Sequence, residues 1–262
     1  MARVEVLLIP DLRRSVEKAI RFLESKSVLD LLLLDFPQTL ERSVSKLAEY
    51  EISYEEFIRR IRRERTLPEP LESWTYLAEP ILRVLPRLKL TKPELEVRCY
   101  TPAEAPFSYS EDALKIARLA YRAKATGKLD ASHWKNTIMM ILTRTRTYFE
   151  KAVTNVLLRA RGRDVICFAG LDAFRLKRRI AEYLDRVTVR SIEPLYHRTP
   201  LEILLSCASR GDVNDDQVSM LALAHVEYLY EYVLRSRDRD EAHDRWVKQT
   251  VFAAKTQPRM MT

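Results

Sequence analysis

The chain has 262 residues, 47% hydrophobic and 31% charged, a balance that excludes a disordered or fibrous polypeptide and leaves room for one large core. Only 4 glycines accompany long stretches of helical apolar spacing, which argues against an all-β sandwich or barrel. The net charge is +8, and the segment from Arg144 to Arg198 holds 13 Lys and Arg against 6 Asp and Glu, a field that either attracts phosphate-bearing partners or decorates solvated helix faces.

The first element is "RVEVLLIP" (3–10), a β-branched and leucine run stopped by Pro10, which reads as a strand buried on both faces. "SVEKAIRFLESK" (15–26) follows with helical spacing at Val16, Ala19, Ile20 and Leu23, and "VLDLLLLDFP" (28–37) is a second apolar run. Strand, helix, strand with short joints is a βαβ unit and predicts a parallel sheet. Ser53 and Glu56 form a capping box at the head of a helix ending in "RRIRRER" (59–65), a cationic face that suits solvent or a nucleic-acid backbone. The proline-punctuated stretch 66–88 predicts a kinked helix capped by Ser73, and "ELEVRCYTP" (94–102) predicts a third strand. Ser110 opens the next helix, which Gly127 ends, and Asp130 or Ser132 caps a long helix reaching about Arg161.

"DVICFA" (164–169) reads as a fourth strand, and a cationic helix from Asp172 to Leu184 follows it. "VTVRSIEP" (187–194) is a fifth strand; the rest predicts helices over 199–209, 214–235 and 240–253. The expected fold is α/β: a mostly parallel sheet of about five strands flanked by helices, with a helical C-terminal extension. Its expected parts are an α/β domain over 1–198, a helical cap over 199–255 packed on that domain, and a disordered tail over 256–262. The helix around "DDQVSMLALAHVEYLYEYVL" is apolar around most of its circumference and is expected to be largely buried. Tyr228, Tyr230 and Tyr232 on it are either core residues or a surface for a protein partner.

No run approaches the roughly 18 apolar residues of a membrane span, and "MARVEVLLIPDL" lacks the apolar centre of a secretory signal. The expectation is a cytoplasmic protein with no membrane association. Few Asn and Gln beside abundant Arg, Lys and Glu give it a thermophile-like composition. Cys99, Cys167 and Cys207 are too far apart for a C-x-x-C site. Dinucleotide, P-loop, zincin and nucleophile-elbow motifs are absent. His225-Val-Glu227 has the form of half a zinc-deaminase motif, but no P-C-x-x-C follows, so His225 reads as a core histidine.

In open parallel sheets, ligands gather at the carboxyl ends of the strands. Those ends carry Asp11, Asp35, Tyr100 with Thr101, Gly170 with Asp172, and Glu193. Asp11, Asp35 and Asp172 are the candidate catalytic set, and each also reads as a loop or helix cap; the cap reading comes first for Asp172. Arg13, Arg144, Arg146, Arg175, Lys177, Arg178 and Arg179 are the candidate ligand-binding cations, with Arg175 in the first turn of its helix, where a phosphate would also meet backbone donors.

The order "VEVLLIPDLRRSVEKAIRFLES…VLDLLLLDFPQTL", then "TRTRTYFEKAVTNVLLRARGRDVICFAGLDAFRLKRRIAEYL", resembles the TraB/ChaN/TIKI-like superfamily over roughly residues 3–192. The resemblance implies two G-x-x-H turns, an acidic residue closing the second strand, a functional arginine and metal-assisted hydrolysis. Here the first turn is Ile9-Pro10-Asp11-Leu12, and the second is Gly170-Leu171-Asp172-Ala173, with alanine in the histidine position. Asp35 stands in the acidic place, and Arg144 or Arg146 in that of the arginine. Loss of both histidines implies that metalloenzyme chemistry is absent or rebuilt from Asp11, Asp35 and Asp172. The expectation is a non-catalytic binding or regulatory protein whose basic surface holds a nucleic acid or nucleotide, without cofactor. The alternatives are a carboxylate-based hydrolase using Mg²⁺ or Mn²⁺, and a scaffold subunit that binds a protein through its C-terminal helices.

Overall fold

The computed structural model describes residues 3–211 and 213–256. Five strands form one parallel sheet: β1 (Arg3–Leu8), β2 (Leu31–Pro37), β3 (Glu96–Thr101), β4 (Asp164–Ala169) and β5 (Val187–Ser191), in the order β3-β2-β4-β1-β5. Helices α1 (Arg13–Glu24), α2 (Glu41–Ala48), α3 (Tyr54–Glu64), α4 (Glu72–Thr91), α5 (Ala105–Thr126), α6 (Ala131–Ala160), α7 (Ala173–Ile180), α8 (Pro200–Ser209), α9 (Asp215–Glu227) and α10 (Arg239–Thr256) make up the rest. Of the tail expected over 256–262, Thr256 closes α10 and residues 257–262 lie outside the described residues.

The sheet is buried on both faces, as parallel sheets require. Leu7, Leu32 and Leu34 face Ile20, Leu23, Val44, Phe57 and Leu82 of α1–α4. Val6, Leu8, Leu31 and Leu33 face Val153, Val156, Leu176 and Ile180 of α6 and α7. Alternate residues of β1, β2 and β4 thus serve two apolar layers, which is why those strands read as nearly unbroken hydrophobic runs.

The chain divides into two compact units. The first, residues 1–110 and 145–194, contains the sheet, and the second comprises 111–144 and 195–262. The helical unit therefore uses the distal part of α5 and the first half of α6 as well as the C-terminal helices. Its core joins Ile116, Leu119, Trp134 and Ile138 to Leu204, Val218, Ala222 and Val226. In α9 the expected burial is partial: His225 and Val226 are covered, but Met220 and Leu223 are exposed. The helix passes into a π-helical turn over Tyr228–Tyr232, where Tyr228 and Tyr232 are buried with Ala242. Those two tyrosines are core residues and offer no open surface.

Several local expectations change. Ser53 caps α3 by accepting from the Glu56 N–H at 3.1 Å, and Asp130 accepts from the His133 N–H at 2.9 Å at the head of α6. Ser73 lies inside α4 and donates to the Pro70 carbonyl instead of capping. Helix α5 starts at Ala105, before Ser110, and α7 stops at Ile180, before Leu184. Asp172 precedes α7 but makes no side-chain cap hydrogen bond. No helix among the described residues is long and apolar enough to cross a membrane.

Candidate functional site at the carboxyl edge of the sheet

Neighbouring strands β1 and β4 send their following helices to opposite faces, α1 to one apolar layer and α7 to the other. This is the switch point at which an open parallel sheet leaves a crevice. Pro10 ends β1 and places Asp11 on the loop to α1, and the Gly170–Asp172 turn ends β4. Both aspartates are exposed at this edge.

Asp35 reaches it by another route. Leu34 pairs with Cys99 and Pro37 with Thr101, so β2 advances three residues while β3 advances two. One extra residue in a strand is a β-bulge, which re-aims a side chain. After four fully buried leucines, Asp35 turns out to water. Its carboxylate accepts a short hydrogen bond from Thr101 Oγ1.

Asp35 is exposed as a residue, while neighbouring protein crowds its carboxyl end. That crowding is the main cause of a pKa raised from 3.8 to about 6; the negative charges of Asp11 and Asp172 push it further up, and the Thr101 hydrogen bond opposes the rise. The Tyr109 phenol lies within the field of the same groups: desolvation first, then Asp35, Asp172 and Tyr148, hold its pKa well above the usual value. Tyr109 is half exposed and meets the Tyr148 ring edge-on at 6.0 Å. Beneath them, buried Tyr100 donates to the Phe168 carbonyl at 2.7 Å, and Asn155 donates to the Tyr100 carbonyl at 2.9 Å. These bonds tie β3, β4 and α6 together under the crevice.

The three sequence-predicted aspartates are therefore brought to one edge within electrostatic reach of one another. They do not converge on a point: among the described residues no three His, Cys, Asp or Glu side chains lie where they could hold a metal ion. Ala173, in the position the resemblance gives to histidine, is fully buried in the α6–α7 layer. The residues present do not fit the histidine-containing metal centre that the resemblance implies.

The predicted cations are mostly engaged elsewhere. Arg13 pairs with Glu79 at 3.0 Å and donates to the Tyr76 carbonyl at 3.3 Å. That carbonyl is the helical acceptor left without its donor by Pro80, four residues on. Arg144 is ion-paired with buried Asp112 in the helical unit. Arg175 lies over the Phe149 ring at 3.8 Å and near Glu150, while Arg179 bonds Glu150 at 3.0 Å and also pairs with Glu182. Arg146 and Arg178 are exposed and Lys177 is half-buried. In "RRIRRER", Arg59 and Arg60 pair with Glu56, and Arg62 pairs with Glu72. Glu193, at the end of β5, is held by Arg14 at 3.2 Å, Lys18 at 2.9 Å and Ser15.

Tyr109 has no signal in the sequence, since its α5 turn precedes the expected start of that helix. Thr101 was visible only as a strand-end residue, and its bond to Asp35 depends on the bulge. Comparison with protein-family models, curated proteins and solved structures returned no match.

Proposed function

We propose that the sheet-containing unit is an acid–base hydrolase in which Asp35 is the protonatable group, acting on a neutral or cationic substrate. The observation that supports this most directly is a carboxyl that a bulge places at the carboxyl edge of the sheet, within electrostatic reach of two other carboxylates. A group titrating near neutrality can give a proton to a leaving group and recover it from water. Asp11 and Asp172 supply negative charge that stabilises developing cationic character and orients the attacking water. Tyr109, kept protonated by its surroundings, serves as a hydrogen-bond donor to substrate. Three carboxylates make this edge a poor seat for phosphate, and Arg13, Arg144, Arg175 and Arg179, expected to hold a polyanion there, are paired with glutamates and aspartates.

The reading also accommodates the TraB/ChaN/TIKI-like resemblance, as an acidic crevice rebuilt in a fold that has dispensed with its histidines. A panel of uncharged chromogenic esters, amides and glycosides, assayed from pH 4 to 8, tests it. Turnover is expected with a pH limb near 6, and Asp35→Asn is expected to lower kcat by about 10²–10⁴-fold, the range for removal of a general acid. Hydrolysis by Asp35→Asn at the native rate would refute the assignment. So would a carbon-13 carboxyl titration placing Asp35 near 4.

A further inference from the structure

We infer a second site, independent of the carboxyl edge: an anion pocket beside edge strand β3 that takes the dianionic phosphate group of a small molecule. The pocket, about 320 Å³, is lined by Arg98, Arg159, Arg161, Arg163, Glu41 and Glu96, with Leu158 at its side. It lies within the sheet-containing unit, toward the amino ends of β3 and β4.

Its construction starts in the turn between α6 and β4, Arg161-Gly162-Arg163. Gly162 has φ +77°, a left-handed conformation that costs a side-chain-bearing residue strain, and the tight turn it permits sets a cation on each side of it. Glu41 then bridges Arg98 at 3.1 Å and Arg159 at 3.4 Å, and its other function is to accept from the outward Cys99 N–H at 3.0 Å, closing the edge of the sheet. Glu96 accepts from Arg98 Nε at 2.6 Å and also pairs with Arg163. Arg159 is fixed further by its bond to the Asn155 carbonyl at 3.3 Å. The row Arg159–Glu41–Arg98–Glu96–Arg163 alternates in sign, so its three guanidiniums are oriented before any ligand arrives.

Arg161 has no ion pair among the described residues and stands exposed at the rim. Four guanidiniums against two carboxylates leave two positive charges facing one small pocket, which a dianion neutralises. Planar, fixed guanidinium groups match phosphate oxygens through paired hydrogen bonds. The volume is at the lower end of small-molecule sites. The cations line one small pocket, which fits a compact anion better than an extended nucleic-acid backbone. This is where the basic excess of the 144–198 segment opens to a ligand, in place of the α7 cations that the sequence singled out.

Calorimetric titration of the whole chain with inorganic pyrophosphate and with phosphate, in 50 mM salt at pH 8, tests the site. Saturable one-to-one binding is expected, weakened about tenfold or more by Arg161→Gln, the loss of one charge-assisted contact. Glu41→Gln keeps an acceptor for the Cys99 N–H and removes a negative charge, so it is expected to tighten binding severalfold, an effect that mere structural damage would not produce. Asp35→Asn is expected to leave the affinity unchanged, which separates this site from the hydrolytic crevice. Absence of saturable pyrophosphate binding, native affinity in Arg161→Gln, or binding of a single-stranded oligonucleotide but not pyrophosphate would each overturn the inference.

Discussion

Replacing Asp35 by Asn tests the carboxyl edge through the stability of the fold. A carboxyl whose pKa is raised from 3.8 to about 6 binds its proton more tightly in the folded chain than in the unfolded one. Between those two values the folded state carries more protons, so stability falls as pH rises through the window; above it, the ionised Asp35 opposes folding. At 1.36 kcal/mol per pKa unit the full penalty is about 3 kcal/mol, and because water reaches Asp35, screening reduces the expected net effect to about 1–2 kcal/mol. Asn is nearly isosteric, and its amide oxygen still accepts from Thr101, so the variant imitates the protonated acid at every pH. Asp35→Asn is therefore expected to be more stable than the native chain at pH 8, by roughly 2–8 °C in Tm for a chain of this size. The advantage shrinks as pH falls and disappears near pH 4. Thermal unfolding followed by circular dichroism at pH 8, 6 and 4 reads the effect directly. A variant less stable than the native chain at pH 8, or a difference that does not change with pH, would show that Asp35 is an ordinary surface carboxylate. A stabilised variant that loses activity is the usual signature of a strained functional group.

Three further outcomes follow from particular contacts. Asp172→Ala is expected to cost less than about 0.5 kcal/mol in urea unfolding, because Asp172 makes no cap bond, whereas Ser53→Ala, which removes a made one, is expected to cost about 1 kcal/mol. Arg144→Met leaves the buried Asp112 carboxylate in the helical unit with only Lys115, at 3.8 Å; a loss of up to about 3–5 kcal/mol is expected, and a loss below about 1 kcal/mol in chemical denaturation would contradict the pairing. His225 is buried against Trp134 and Tyr228, and burial lowers its pKa from 6.5 to about 4. The unfolded chain takes up this proton first, so the contribution of neutral His225 is fully present above pH 6.5 and is lost as pH falls toward 4, about 3 kcal/mol in all. Unfolding curves of His225→Phe across that range are expected to be flatter than those of the native chain.

What was legible in the sequence follows from short-range physics. Runs closed by proline marked four of the five strands and Gly170 closed β4; β1, β2 and β4 were the plainest, because a parallel strand covered on both faces is mostly apolar at consecutive positions. Helical spacing located α1, and the Ser53 and Asp130 caps were readable because such bonds close within three residues. The side chains at the carboxyl edge were legible as a set, since their place follows from strand direction alone.

Their roles were not, because those depend on groups far away in the chain. Whether Asp172 caps α7 was decided by the turn after Gly170, and whether Asp35 faces the core or water by a bulge whose register involves β3. The basic segment looked like one field in the sequence, yet Glu150 takes Arg175 and Arg179, and Asp112 takes Arg144; outside it, the carbonyl freed by Pro80 takes Arg13. At Arg98, Arg159, Arg161 and Arg163 folding gathers four cations around two carboxylates, Glu41 and Glu96. Sequence determines where each charge sits along the chain, but the charge it meets across the fold decides whether it supports the structure or remains available to a ligand.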